Sequence, residues 1–389
     1  MHHDHDHEAG LSGPESTFAP DQPRSLEGIA NFIRAEFWSP RQFDTGSENE
    51  ITVNLTGLTA EAQVLAREAL EAWADVTGIT FTETTGQAQI TFDDEDSGAY
   101  AFSSISNGEI LSSNVNISTD WIAAYDTGFD SYSFQTYIHE IGHALGLGHG
   151  GFYNGSGRYP DDADYANDSW QATVMSYFSQ TENTFVDASF AFVTTPMPAD
   201  VIAVQDMYGT ATDTRTGDTT YGFNDTTGEA RLDFTSFDMP VTLTIADSGG
   251  EDTIDLSGYG SDQTINLNDQ TYSDYGGGTG NLAIARDTGI ENAVGGSGDD
   301  TLIGNELSNE LTGGAGADTF VFDDEGFGTD TITDFETGID DLAFEDGADL
   351  SDFDLSDTDG GALLVAADGS SILIEDVMAS ELTSQSLFA

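Results

Sequence analysis

The chain has 389 residues, enough for two or three domains with their own cores, and it carries 71 acidic against 8 basic residues for a net charge of −63. Every basic residue is arginine, and so acidic a surface repels phosphate backbones and anionic lipid, which argues against nucleic acid and membrane surfaces as partners. Cysteine is absent and no apolar run reaches the roughly 18 residues that cross a bilayer, so disulfides, thiolate metal ligands and membrane insertion are excluded.

The acidic excess has two compatible readings: solvation in a saline habitat, and carboxylates awaiting divalent cations. Residues 1–24 are polar, alternate His with Asp, then turn to Gly, Ser and Pro, and read as a disordered tail without the basic-then-apolar order of a secretory signal. Ser25 is placed to cap a helix through Ile29 and Ile33 to about Phe37. Ile51, Val53 and Leu55 alternate as in a strand. Thr59 caps a periodic helix with Ala62, Leu65, Ala69 and Trp73 on one face, and Gly78 closes it. Ile79–Thr84 and Gln89–Phe92 read as short strands, and Ala99–Phe102 as an edge strand suited to pairing with an extended peptide.

Phe134–Leu145 is predicted helical and holds the start of His139-Glu140-Ile141-Gly142-His143-Ala144-Leu145-Gly146-Leu147-Gly148-His149. Residues four apart on a helix share a face, so His139 and His143 aim at one point, the arrangement of two zinc ligands. Glu140 beside them suits a general base, and Gly146 lets the chain turn back to bring in His149. Three neutral histidines leave one zinc position open, as in a catalytic site. The other four histidines, His2, His3, His5 and His7, all lie in the tail, so the body of the chain uses histidine nowhere else. The alternative, three histidines satisfied in a core, does not account for that concentration.

This stretch resembles the metzincin metallopeptidases, and Val174-Met175-Ser176-Tyr177 downstream resembles their methionine turn, in the form of the serralysin branch. By that resemblance Met175 packs beneath the ligands, and Tyr177 approaches the zinc at rest, then swings away to bind the tetrahedral intermediate. Ala199–Tyr208, with Pro198 before and Gly209 after, reads as a last helix, and the catalytic domain is expected to span residues 25–210.

Beyond it the composition turns to Gly, Asp, Thr and Asn. Gly295–Ile303 and Gly313–Val321 both fit GGxGxDxUx, a nonapeptide of the calcium-binding parallel β-roll, and Gly304–Thr312 between them keeps the period without the second glycine and the acid. Two nonapeptides make one coil, so Gly296, Gly298 and Asp300 are expected to face Gly313, Ala315 and Asp318 across one calcium, a hard cation suited to carbonyl and carboxylate oxygens. After Phe322 the repeats are read as fading into alternating strands.

The serralysin resemblance extends here. It implies one calcium shared by the carbonyls of Arg215, Gly217, Thr219 and Gly249 with the carboxylates of Asp247 and Asp252, and a second held by Gly250, Asp252, Gly289 and Glu291. It also implies removal of a short N-terminal propeptide and an uncleaved C-terminal signal for a type I exporter. The terminus Ser386-Leu387-Phe388-Ala389 matches that signal only approximately, its nearest acid being Glu381.

The reading is an α+β metzincin-like catalytic domain followed by an all-β parallel β-roll over residues 211–389. It describes a secreted, monomeric zinc endopeptidase acting on proteins, with one catalytic zinc and several structural calcium ions. The alternative is a non-enzymatic calcium-binding surface or adhesion protein with a vestigial metal site, against which the intact Glu140 argues. A membrane-lysing repeat toxin lacks the long apolar segment it would need.

Overall fold

Residues 21–322, 326–344 and 350–382 are described by a computed structural model, in which two compact units form. The tail up to residue 20 and the expected export signal over the last residues, 383–389, lie outside the described residues. The first unit runs through Thr214 and also takes back Phe237–Ala246, a return the sequence reading did not foresee; the second comprises Arg215–Ser236 and the chain from Asp247 onward.

Helix α1 (Leu26–Asn31) starts at Ser25, whose Oγ accepts the Gly28 N–H at 3.1 Å, and passes into a π-helical turn over Phe32–Glu36. The described contacts begin before it. Gln22 O accepts the Ala166 N–H, and Arg24 is clamped by Asn167 on both its backbone groups, with its guanidinium over Phe32 and Tyr165. Arg24, read from the sequence as the end of the tail, therefore packs into the first unit.

Six strands make the sheet of the first unit: β1 (Gln42–Phe43), β2 (Glu50–Gly57), β3 (Thr80–Glu83), β4 (Ile90–Asp93), β5 (Ala99–Ser106) and β6 (Glu109–Ile117). They run in the order β1-β6-β4-β2-β3, all parallel, with β5 antiparallel to β6. The sequence reading missed β6, although it pairs with three strands, because Ser112, Ser113 and Asn114 interrupt its apolar alternation. Among the described residues no strand pairs with the far side of β5, where Phe102 is exposed.

Helix α2 (Ala60–Thr77) covers this sheet with the predicted face. Leu65, Ala69 and Trp73 are buried, and a fully buried leucine contributes about 1.5–3 kcal/mol. After a short α3 (Thr119–Tyr125) comes α4 (Tyr132–Leu145), buried along its whole length and packed on α2, where the Trp73 indole donates to Ile138 O at 3.1 Å. Strand β7 (Phe192–Val193) pairs with Val241–Thr242 of the returning segment, and α5 (Pro198–Tyr208) begins at Pro198, which stands inside the helix as its first residue.

The second unit is a coil of short parallel strands. One sheet stacks Thr220–Gly222, Thr253–Asp255, Asn292–Val294, Glu310–Thr312, Thr329–Ile332 and Ser371–Glu375; the other stacks Thr264–Asn266, Thr301–Ile303, Thr319–Phe322 and Asp341–Phe344. From Thr253 to Asp341 the chain alternates between the sheets, and each three-residue strand buries its central apolar residue: Leu302 sits in register with Phe320, and Ala293 with Leu311. The repeat does not fade after Phe322. Gly326-Phe327-Gly328-Thr329-Asp330-Thr331-Ile332 forms one more turn and strand, pairing Leu311 with Ile332 after three extra residues have broken the eighteen-residue spacing. An antiparallel edge of Asp354–Asp357, Gly361–Val365 and Ser371–Glu375 ends the stack.

Candidate active site

Ser131 caps α4 through its Oγ and the Phe134 N–H, so the helix starts two residues earlier than predicted and carries His139 and His143 in mid-helix. At its end Gly146 takes φ +116°, and the Leu147 N–H reaches back to Gly142 O at 2.9 Å, which reverses the chain. A Cβ on Gly146 would lie 2.3 Å from Arg41 O, and one on Gly148 would lie 2.4 Å from the Phe37 ring. Both glycines are thus demanded by close approach. The Gly148 N–H donates to Ile33 O, so the π-helical turn fixes the segment that delivers His149.

The three histidines are buried and converge, with candidate ligand atoms within 4.8 Å of one another and the Nε2 atoms of His143 and His149 at 2.9 Å. Each Nδ1 faces a backbone carbonyl: Val174 O at 2.8 Å for His139, Leu147 O at 2.8 Å for His143, Tyr153 O at 3.0 Å for His149. A carbonyl only accepts, so each Nδ1 carries the proton and each Nε2 keeps its lone pair for a metal. The donor set fits one zinc ion. Glu140 is fully buried on the same helix.

Met175 packs under α4 against Gly142. Tyr177 lays its ring 4.5 Å from that of His149 and 6.2 Å from that of His139, and its hydroxyl accepts the Gly155 N–H at 3.3 Å. A narrow cleft beside His139 is lined by Tyr132, Gln135, Thr136, Trp170, Val174 and Tyr177.

Three further residues organise this centre, and sequence reasoning passed over all of them. Asp200, in the first turn of α5, accepts the Thr173 hydroxyl at 2.5 Å and the N–H groups of Val174 and Met197 at 2.7 and 2.9 Å, thereby holding the carbonyl that orients His139. Asp168 is fully buried and accepts the Tyr153 hydroxyl, while Tyr153 carries the carbonyl that orients His149. Burial pushes both carboxyls up to about 7, against partial relief from these hydrogen bonds. An acid at the start of a helix or in a loop carries no signal in sequence that it turns inward.

In the second unit Asp252 accepts the Thr219 N–H at 2.7 Å, its own N–H donates to Glu291, and a Cβ on Gly250 would lie 2.7 Å from Gly217 O. Gly249 accompanies Asp247, whose carboxylate accepts its N–H and also the Tyr221 hydroxyl, which Arg215 Nε contacts. Gly289 lies against Leu307 and Glu291. The Asp300 N–H donates to Asp318, the Ala315 N–H to Gly296 O, and Gly316 abuts Gly298 O, with Gly313 folded onto the Asp318 carboxylate. Burial raises the pKa of Asp252 to about 7, that of Asp318 to about 6, and that of Asp300. These buried acids lie at turns where the carbonyls of Gly217, Gly296 and Gly298 approach neighbouring glycines, and carboxylate and carbonyl oxygens are the donor types that fit calcium.

Two α4 histidines joined by a third beyond the Gly146 turn, with a buried glutamate beside them and a methionine turn beneath, on an α+β unit followed by a parallel roll, define a metzincin-type zinc endopeptidase. Residues 48–154 match the Matrixin family model, 125–193 that of Peptidase M66, and 210–359 that of the Peptidase M10 serralysin C terminal. The chain is 37% identical over 323 residues to Serralysin of Photorhabdus sp. (strain Az29), covering 76% of this chain and 67% of that one. It is 42% identical over 252 residues to Serralysin C of Dickeya chrysanthemi (61% and 52%), and 37% identical over 284 residues to Metallopeptidase AprA of Pseudomonas marginalis (68% and 60%). The chain belongs to the serralysin family.

Proposed function

We propose that His139, His143 and His149 hold the zinc, with Tyr177 as a displaceable fourth group, and that Glu140 is the general base of peptide-bond hydrolysis. Zinc supplies, when bound, acidification of a water molecule and polarisation of the scissile carbonyl. Glu140 takes the proton of the attacking water and returns it to the leaving amine, Tyr177 donates to the developing oxyanion, and the open side of β5 pairs with the extended substrate. The observation that carries this reading is the convergence of three buried histidines, each with its Nδ1 on a backbone carbonyl and candidate ligand atoms within 4.8 Å of one another, beside a buried glutamate.

The turn residues Arg215, Gly217, Thr219, Asp247, Gly249 and Asp252 are proposed to hold one calcium, Gly250, Asp252, Gly289 and Glu291 a second, and Gly296, Gly298, Asp300, Gly313, Ala315 and Asp318 a third. Calcium at such sites points to an extracellular enzyme that crosses a type I exporter unfolded. Among the described residues no helix is long and apolar enough to cross a membrane. Casein cleavage tests the function: full activity in zinc and calcium, loss with a zinc chelator and recovery on adding zinc back are expected, and cleavage indifferent to the chelator would refute it.

A further inference from the structure

We infer that Asp168 is a positioning residue of the active site, acting through Tyr153 on both His149 and Tyr177; this rests on the ligand set proposed above. Tyr153 makes three contacts at once. Its carbonyl accepts from His149 Nδ1 at 3.0 Å, its hydroxyl accepts the Tyr177 N–H at 3.2 Å, and the same hydroxyl donates to the two Asp168 oxygens at 3.1 Å. One side chain thereby ties the third metal ligand to the residue proposed to stabilise the oxyanion. A hydroxyl that donates to a carboxyl oxygen is a stronger acceptor, so Asp168 tightens the hold on the Tyr177 backbone and fixes which way the phenol points.

The surroundings leave this arrangement no slack. Asp168 is fully buried, and the backbone around it is held by the Asn183 amide on its carbonyl at 2.6 Å. A Cβ on Gly150, the residue after His149, would sit 2.6 Å from Asp168 Oδ1 and 2.9 Å from the Tyr153 hydroxyl, so the ligand loop packs directly onto this pair. The Gly150 N–H donates to Met175 O, which closes the circuit from ligand loop to methionine turn. Tyr153 also stacks edge-on with Phe178 at 5.1 Å, so its ring stays seated without the hydroxyl.

The experiment compares Asp168→Asn, Tyr153→Phe and the double variant in the full chain with calcium present. Zinc affinity is read by chelator competition, and kcat and KM are read separately on zinc-saturated protein. Removing groups that orient metal ligands typically weakens metal affinity or activity about 10–100-fold, and each variant is expected to lose zinc affinity in that range and to lose kcat with KM nearly unchanged. The double variant is expected to lose less than the sum of the two single losses, because Asp168, which also bonds Ser176, acts on the site largely through that hydroxyl. Should Asp168→Asn not fold, Tyr153→Phe reads the same quantities. A lower melting temperature with wild-type zinc affinity and wild-type kcat would reduce the pair to packing, and additive losses in the double variant would place Asp168 outside the Tyr153 path; either overturns the inference. A wild-type chain that itself binds no zinc would remove both this inference and the ligand set beneath it.

Discussion

A Cβ on Gly142 would lie 2.7 Å from Met175 Sδ and 3.1 Å from the Trp73 ring. The glycine inside the zinc helix is therefore room for the methionine, not a point of flexibility. Gly142→Ala ordinarily gains about 1 kcal/mol of helix propensity, but overpacking a filled core costs about 1–3 kcal/mol. Urea denaturation should show the variant less stable than wild type, with partial recovery in Gly142→Ala/Met175→Ala. A stabilised single variant would show that the methionine moves aside freely.

Glu140→Ala should abolish peptide cleavage while zinc binding persists, since the three Nε2 atoms and their carbonyl partners are untouched. General acid–base catalysis is worth roughly 10²–10⁴-fold, so residual activity above about a hundredth of wild type would contradict the role of Glu140 as base.

Tyr177→Phe should lower kcat more than it raises KM, by a factor on the order of 10²–10³, because an oxyanion donor acts in the transition state. Its hydroxyl accepts the Gly155 N–H, which leaves the hydroxyl proton to donate. An unchanged kcat would confine Tyr177 to packing beside His149.

Calcium should be coupled to the stability of the second unit. Asp252, Asp300 and Asp318 are buried, and Arg215, Arg231 and Arg286 are the only basic residues beyond residue 210, of which Arg215 and Arg231 both pair with Glu229. Arg286 lies 4.0 Å from Asp287, so these three cations leave the turns short of positive charge, and calcium binding free energy becomes folding free energy. Circular dichroism of the full chain should show β signal lost in EGTA and regained on calcium titration in ample sodium chloride. Recovery with salt alone would favour the halophile reading of the acidity.

With calcium removed, stability should fall as pH rises. Asp200 and Asp330 are fully buried, and burial lifts both from 3.8 to about 7, so the folded state binds these protons more tightly than the unfolded one. Their contribution is complete below about pH 4 and is lost as pH passes through about 7. Asp330 gives Oδ1 to the Asn309 N–H, and its Oδ2 has no hydrogen-bond partner among the described residues. Urea midpoints in EGTA should decline from pH 5 to pH 8, with a shallower decline in Asp330→Asn; identical slopes would remove Asp330 from the account.

What the sequence determined by itself is what short-range geometry controls. Four-residue spacing puts His139 and His143 on one helix face, Thr59 and Gly78 bound a helix of constant apolar period, and a nonapeptide period sets strands eighteen residues apart in register. These signals sit within one helix or one coil, where neighbours in sequence are neighbours in space. Where the spacing was interrupted the reading failed, as at Gly326–Ile332, displaced by three residues, and at β6, whose serines and asparagine hide its central place. Met175 beneath the ligands was legible only through the family resemblance, and the contacts that orient the histidines were not legible at all, since Asp200 on Val174 and Asp168 on Tyr153 join segments 26 and 15 residues apart that only the packed tertiary structure brings together. Buried hydrogen bonds depend on which side chains face inward after the chain has folded, and no local pattern of residues encodes that.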